Sequence, residues 1–180
     1  MERNKLRVGL IGTSERPNEP ISEEVKRIAY RFGYLVGIEG FILFTGGRDG
    51  VMEACCHGNF DAHGINVGIL PSNSVSEANP YVTIPITTGL GMDFRSILMI
   101  HTTDVTVMIG GKIGTLLELV STYQNGKPAI IIKGTGDFAD SIDRILVDGR
   151  YFDSRKNAEI YFVNSPEEAI EKIKEIFKIK

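Results

Sequence analysis

The stretch DVTVMIGGKIGTLLELVSTYQ, Asp104 to Gln124, constrains this chain more than any other. Val105 to Ile109 is a β-rich, mostly apolar run, the pattern of a strand covered on both faces in a parallel sheet. Gly110 to Gly114 then reads as a tight turn and Thr115 onward as a helix. The first N–H groups of such a helix have no intrahelical partner and lie at the positive end of its dipole. A phosphate placed there is stabilised without any cationic side chain. One turn further in, Glu118 shares a helical face with Gly114, Thr115, Ser121 and Thr122, while Leu116, Leu117, Leu119, Val120 and Tyr123 cover the other sides. A carboxylate beside a phosphate pocket suggests chemistry on whatever carries the phosphate.

The same unit recurs. Leu6 to Ile11 reads as a first strand ending in Gly12, Thr13 and Ser14, and polar loop residues follow to Pro20. From Ile21, Val25, Ile28, Ala29, Phe32 and Leu35 fall at helical spacing, with Gly40 as a stop. Phe41 to Thr45 is a second strand, which runs into Gly46, Gly47, Arg48, Asp49 and Gly50 and then a helix from Val51 to Phe60. A third strand, Ile65 to Leu70, is stopped by Pro71. The polar segment PSNSVSEANP that follows is a candidate lid, and Tyr81 to Ile86 is another β-rich run. Met92 to Thr102 carries Phe94, Ile97, Leu98, Met99 and Ile100, apolar on nearly every side, which places it inside the domain or against another subunit. Pro128 to Ile132 and Ile160 to Val163 read as strands, with a helix from about Phe138 to Val147 between them. A last, structural helix opens with Ser165 as N-cap, Pro166 at its first position and Glu168 in capping-box register. Strand and helix alternating, with glycine at the strand ends, predicts an α/β fold. The expected form is a doubly wound, mostly parallel sheet, a single Rossmann-like nucleotide-binding domain over residues 1–180, with ligands at the carboxyl ends of the strands.

Composition narrows the partners. A chain of 180 residues, 42% hydrophobic, is long enough for one buried core and short for two. A net charge of −3 without a Lys/Arg block argues against a nucleic-acid or membrane-surface binder and for a small-molecule ligand. No apolar run is of membrane-spanning length, and the apolar stretch in MERNKLRVGLIG is too short for a signal peptide, so a cytoplasmic location is expected. Cys55 and Cys56 are adjacent, poorly placed for a framework disulfide, in keeping with a reducing compartment.

Each candidate has an ordinary reading beside the functional one. Gly110 to Thr115 alone would fit a common βα turn. The comparable turns at Gly46 to Gly50 and at Gly12, Thr13 and Ser14 shift the reading to a phosphate site, since all three ends should share one rim. Neither the dinucleotide nor the P-loop pattern is met, so NAD and nucleoside triphosphatase chemistry are not expected. Glu118 in isolation would be a solvated residue favouring the helix dipole. Arg95 on an apolar helix is harder to dismiss, because a buried guanidinium is costly unless it meets an anion; a ligand phosphate and Glu118 are the candidate partners. Arg48 and Asp49, beside Gly46 and Gly47, are candidate ligand contacts. Cys55, Cys56, His57 and His63 lack metal-ligand spacing and are read as core or surface residues, and His101 as a helix-end charge or cap. No metal and no resident cofactor are expected.

Four motifs in order, TGGRDGVMEAC at Thr45 to Cys55, GINVGILP at Gly64 to Pro71, TGLGMDFRSILMI at Thr88 to Ile100 and GGKIGTLLE at Gly110 to Glu118, carry a resemblance running from Val8 to about Ile132. Together they resemble the Lonely Guy and "lysine decarboxylase-like" superfamily of Rossmann-type proteins, and within it the branch that includes molybdenum cofactor carrier proteins. The family's central turn is proline or glycine, two glycines, a variable residue, then Gly-Thr and, three residues after the Thr, Glu. Here Gly110 and Gly111 fill the first two positions, Gly114 and Thr115 the Gly-Thr pair and Glu118 the catalytic-type acid, while Arg95 matches the family arginine. Lys112 stands at the second glycine: either its ammonium adds to the phosphate site or its side chain obstructs close backbone approach. The resemblance implies cleavage of the N-glycosidic bond of a cytokinin or purine nucleoside 5′-monophosphate to free base and ribose 5-phosphate. Glu118 would stabilise an oxocarbenium-like state or position water, and Arg95 would hold the phosphate or assist the leaving base. The alternatives are a non-catalytic carrier of molybdenum cofactor, or of a related phosphate-bearing ligand, and a nucleotide sensor without turnover. No lysine stands out as the Schiff-base residue of a pyridoxal phosphate site, so the decarboxylase label finds no support. A homodimer, with the helix around Arg95 near its interface, is also implied.

Overall fold

Seven strands pair side by side, every one parallel to its neighbours, in a computed structural model that describes residues 5–179. They are β1 (Arg7–Gly12), β2 (Ile42–Thr45), β3 (Ile65–Leu70), β4 (Ile84–Thr87), β5 (Val105–Ile109), β6 (Ala129–Ile132) and β7 (Ile160–Val163). Across the sheet the order is β4-β3-β2-β1-β5-β6-β7. The chain steps outward from β1 to β4 and then returns to the other side of β1, where Val8 to Gly12 pair with Val105 to Ile109. Connections leave in opposite directions from the carboxyl ends of β1 and β5, which opens a crevice there.

Five helices cover the two faces: α1 (Glu23–Ile38), α2 (Val51–Asp61), α3 (Gly91–Thr102), α4 (Ile113–Gln124) and α5 (Pro166–Phe177). Successive strand residues point to opposite faces. Val105, Val107 and Ile109 therefore pack with Phe32, Val36, Cys55 and Ile170 of α1, α2 and α5, while Met108 packs with Met99, Ile100, Leu119 and Tyr123 of α3 and α4. Both faces being covered is why β5 reads as a mostly apolar run and β6 as an unbroken one. α1 and α2 cross backbone to backbone. A Cβ on Gly33 would stand 1.9 Å from the Cys55 carbonyl oxygen, and one on Gly58 1.9 Å from that of Tyr30. α5 opens as expected, with Ser165 Oγ accepting the Glu168 N–H at 3.1 Å, although the Glu168 carboxylate reaches the Asn164 N–H rather than that of Ser165. None of the described helices is long and apolar enough to cross a membrane.

Two expectations are corrected, and a third segment is seen tied at one end. The helix predicted from about Phe138 to Val147 is two short 3-10 turns, Asp137–Asp140 and Ile142–Ile145. Asp140 accepts the N–H groups of Gly134 and Gly136 at 2.6 and 2.7 Å, so its side chain competes with a helical start. β4 begins at Ile84 rather than Tyr81, because Asn66 and Thr83 exchange side-chain-to-backbone bonds where ladder bonds would form. The candidate lid, residues 71–80, is pinned to the turn after β2: the Asn79 N–H donates to the Gly47 carbonyl and its Nδ2 to that of Arg48, each at 2.8 Å.

Candidate functional site

The crevice between β1 and β5 is a cavity of about 190 Å³ lined by the loop after β1 and the first turns of α3 and α4. α4 departs from an ordinary amphipathic helix, since it buries polar side chains beside the apolar Leu119 and Tyr123. Its polar residues Thr115, Glu118, Ser121 and Thr122 are buried, whereas Ile113 is 75% and Leu117 40% exposed. Hydrogen bonds hold it in this phase: the Thr115 hydroxyl donates to the Gly12 carbonyl at 3.2 Å, and the Thr122 hydroxyl lies 3.1 Å from that of Thr106 on β5. Those contacts carry Glu118 to the cavity.

The glycine turn has its own bonding. The Gly110 N–H donates to Thr135 Oγ1 at 2.8 Å and the Gly111 N–H to Thr13 Oγ1 at 2.7 Å, and the Thr13 hydroxyl in turn lies 3.1 Å from the Asp137 carboxylate. Two threonines thus occupy the amides of Gly110 and Gly111. Among the described residues no side chain caps α4, and Lys112, Ile113, Gly114 and Thr115 line the cavity with the helix's first turn. Lys112 has φ −104° and ψ −160°, an extended conformation any residue adopts, and its ammonium reaches an ion pair with Glu19 on the rim.

Arg95, from α3, is 3% exposed and points over the turn after β2: a Cβ on Gly46 would stand 2.1 Å from its Nη1. Only glycine leaves it that room. The guanidinium makes no ion pair among the described residues; its Nε is buried without a partner, and Nη2 reaches only the Met92 sulfur, at 3.9 Å. Burial lowers the Arg95 pKa against the attraction of Glu118, with Arg48 adding repulsion. Glu118 is 9% exposed, and burial raises its pKa against the Ser96 hydroxyl and Arg95. A close ion pair would shift both groups the other way. The cavity is therefore walled by a buried guanidinium, a carboxyl that resists ionisation and the first turn of a helix.

Of the predicted site residues, Gly12, Thr13, Ser14, Arg95, Lys112, Gly114, Thr115 and Glu118 line this one cavity, with Gly46 behind the guanidinium. Gly47, Arg48, Asp49 and Gly50 stand outside it: Asp49 and Gly50 buttress the loop after β1, while Gly47 packs against Gly68 and Leu70 and Arg48 reaches Met92. Asp49 accepts the Glu15 N–H at 3.0 Å, and the Val51 N–H donates to the Thr13 carbonyl at 3.1 Å. Met52, Met92, Asp93, Ser96 and Arg16 line the cavity and escaped the sequence reading. Met92, Arg95, Ser96 and Met99 are spaced as one helical face, so the first three could have been found together. Thr135 and Asp137 carried no such signal. Elsewhere, Cys55 and Cys56 are buried, which raises both thiols, that of Cys56 to about 11. The His57 ring stacks 3.9 Å from that of Tyr81.

A doubly wound parallel sheet whose cavity at the switch point is framed by an arginine and a glutamate from adjacent helices defines a Rossmann-like α/β protein of the Lonely Guy type. The chain belongs to the SLOG cluster4 family, whose model matches residues 5–170, within that superfamily. Its fold is shared with the protein TM1055, 38% identical with a TM-score of 0.89 over 94% of this chain and 99% of that one. It is similar as well to the molybdenum cofactor binding protein from the phototrophic bacterium Rippkaea orientalis, 32% identical, TM-score 0.82, over 98% and 99% of the two chains. The molybdenum cofactor carrier protein of Chlamydomonas reinhardtii is 27% identical, TM-score 0.80, over 97% and 99%.

Proposed function

We propose that this protein binds molybdenum cofactor, or a closely related phosphate-bearing pterin, in the β1/β5 cavity and carries it without transforming it. The observation that carries this reading is the Arg95 guanidinium, buried with its Nε unsatisfied in the wall of a cavity lined by both polar and apolar residues. Such a group is costly in the ligand-free protein and calls for an anion. The first-turn amides of α4 would take the ligand's phosphate, Arg95 a second acceptor, and Glu118 with Ser96 the hydrogen-bonding edge of the headgroup. Similarity over nearly the whole chain to a binding protein and a carrier of that cofactor supports the choice of ligand.

The second reading is a nucleoside 5′-monophosphate phosphoribohydrolase, favoured by Arg95 and Glu118 lining the same cavity beside the α4 N-terminus. Its carboxylate would have to be ionised to stabilise an oxocarbenium-like state, and burial of Glu118 works against that. Incubation with AMP, GMP, CMP, UMP and isopentenyl-adenosine monophosphate, with chromatography for free base and ribose 5-phosphate, separates the two. The carrier reading expects no release. Release abolished by Glu118→Gln would establish the hydrolase.

We also assign the working form as a homodimer through α3 and α4. Phe94 is 70% exposed and Leu98 39%, and with Ile113 and Leu117 they put apolar side chains in solvent beside the cavity mouth.

A further inference from the structure

We propose that Glu19 is a built-in competitor for the ligand's anion: it holds the Lys112 ammonium at the cavity rim until a bound phosphate takes that ammonium over, so the pair sets how strongly the site favours highly charged ligands. The proposal rests on the reading of the cavity as an anion site. Lys112 is the N-cap residue of α4, so it starts beside the uncapped amides. Its side chain lies between the cavity and an adjoining depression of about 230 Å³ to which Glu19, Ser22 and Asp137 contribute. The ion pair with Glu19 draws the ammonium toward that depression, and it holds the Glu19 carboxyl below its usual range.

The pair is built to exchange. Its two side chains are 43% and 53% exposed, so water screens it and it is weak. Lysine is a point charge on a flexible stem with no fixed geometry to satisfy, and a phosphate offers it more charge and more acceptor oxygens than a carboxylate. The released Glu19 is not stranded. It sits on a short antiparallel bridge with Arg16, whose cation already lowers its pKa. A singly charged ligand competes poorly with Glu19, whereas one bearing a dianionic phosphate or a diphosphate displaces it.

Calorimetric titration with pyrophosphate and with inorganic phosphate tests this on the parent, Glu19→Gln, Lys112→Met, the double variant and Arg95→Met. Glu19→Gln should tighten pyrophosphate binding several-fold, and Lys112→Met should weaken it by about tenfold and narrow the preference for pyrophosphate over phosphate. The double variant should match Lys112→Met, because Glu19 acts only through the lysine. A purely structural ion pair gives a different pattern, since both single variants break the same contact and would then weaken binding in step. That outcome, or no change in either variant while Arg95→Met abolishes binding, overturns the exchange and leaves the anion site standing. No binding by the parent overturns both. Lys112→Gln repeats the measurement if Lys112→Met does not fold.

Discussion

A guanidinium that is 3% exposed and leaves its Nε without an acceptor destabilises the ligand-free fold. Arg95→Met, of similar length and without the charge, should raise stability by about 1 kcal/mol or more, a rise of about 2–4 °C in Tm for a domain of this size, while abolishing ligand binding. Thermal melts of parent and variant without ligand check it; a fall in Tm would mean that the arginine is structural. Glu118 leads to a second prediction. Its folded pKa lies above the ordinary value of 4.5, so its ionisation costs the fold nothing below that pH and progressively more as pH rises through the folded pKa. Glu118→Gln removes this cost. The stability difference between variant and parent should therefore grow as pH rises above about 4.5 and level off once pH has passed the raised folded pKa, as denaturant titrations along the pH series would show. At this scale the sequence was informative where a residue broke its surroundings. Arg95 stood out as the one positive charge of an apolar helix, and Lys112 as a departure from a motif. Glu19 as the partner of Lys112 could not be read, since the two are far apart in the chain and meet only through the loop geometry.

Among the elements, the turn after β2 shows how a glycine can serve the site without touching ligand. Gly46→Ala would place its Cβ 2.1 Å from Arg95 Nη1 and 2.7 Å from the Met52 sulfur. Both are ends of flexible side chains, so the fold should survive with a loss of about 1–3 kcal/mol, while the displaced guanidinium weakens ligand binding at least tenfold. Denaturant melts and ligand titration on the same sample measure the two effects, and unchanged affinity would show that the observed Arg95 position is immaterial. The strands and long helices were legible because period and glycine punctuation agreed. The burial of α4 was not: of the residues grouped with Glu118, Thr115, Ser121 and Thr122 are buried and Gly114 is exposed, and that the polar side chains turn inward beside Leu119 and Tyr123 was decided by hydroxyls reaching Gly12 and Thr106. The segment read as a helix from Phe138 failed for a related reason, a carboxylate bonding to nearby backbone.

For the whole molecule, the doubly wound sheet and its ligand crevice followed from repeated strand, turn and helix units, because parallel connections leave few topologies open. Fold alone does not choose between holding and cleaving a ligand. What surrounds the cavity bears on assembly: α3, read as apolar on nearly every side and so inside the domain or against another subunit, exposes Phe94 and Leu98 and buries Arg95, Ser96, Met99 and Ile100. Phe94→Asp should convert the proposed dimer to monomer in sedimentation velocity without lowering Tm, and a parent that sediments as a monomer would refute the interface. The most direct measurement is anaerobic gel filtration of the protein mixed with molybdenum cofactor, with molybdenum determined across the protein peak. Molybdenum should co-elute with the parent and with Glu118→Gln and be lost with Arg95→Met; free molybdenum in the parent's own run would contradict the carrier account.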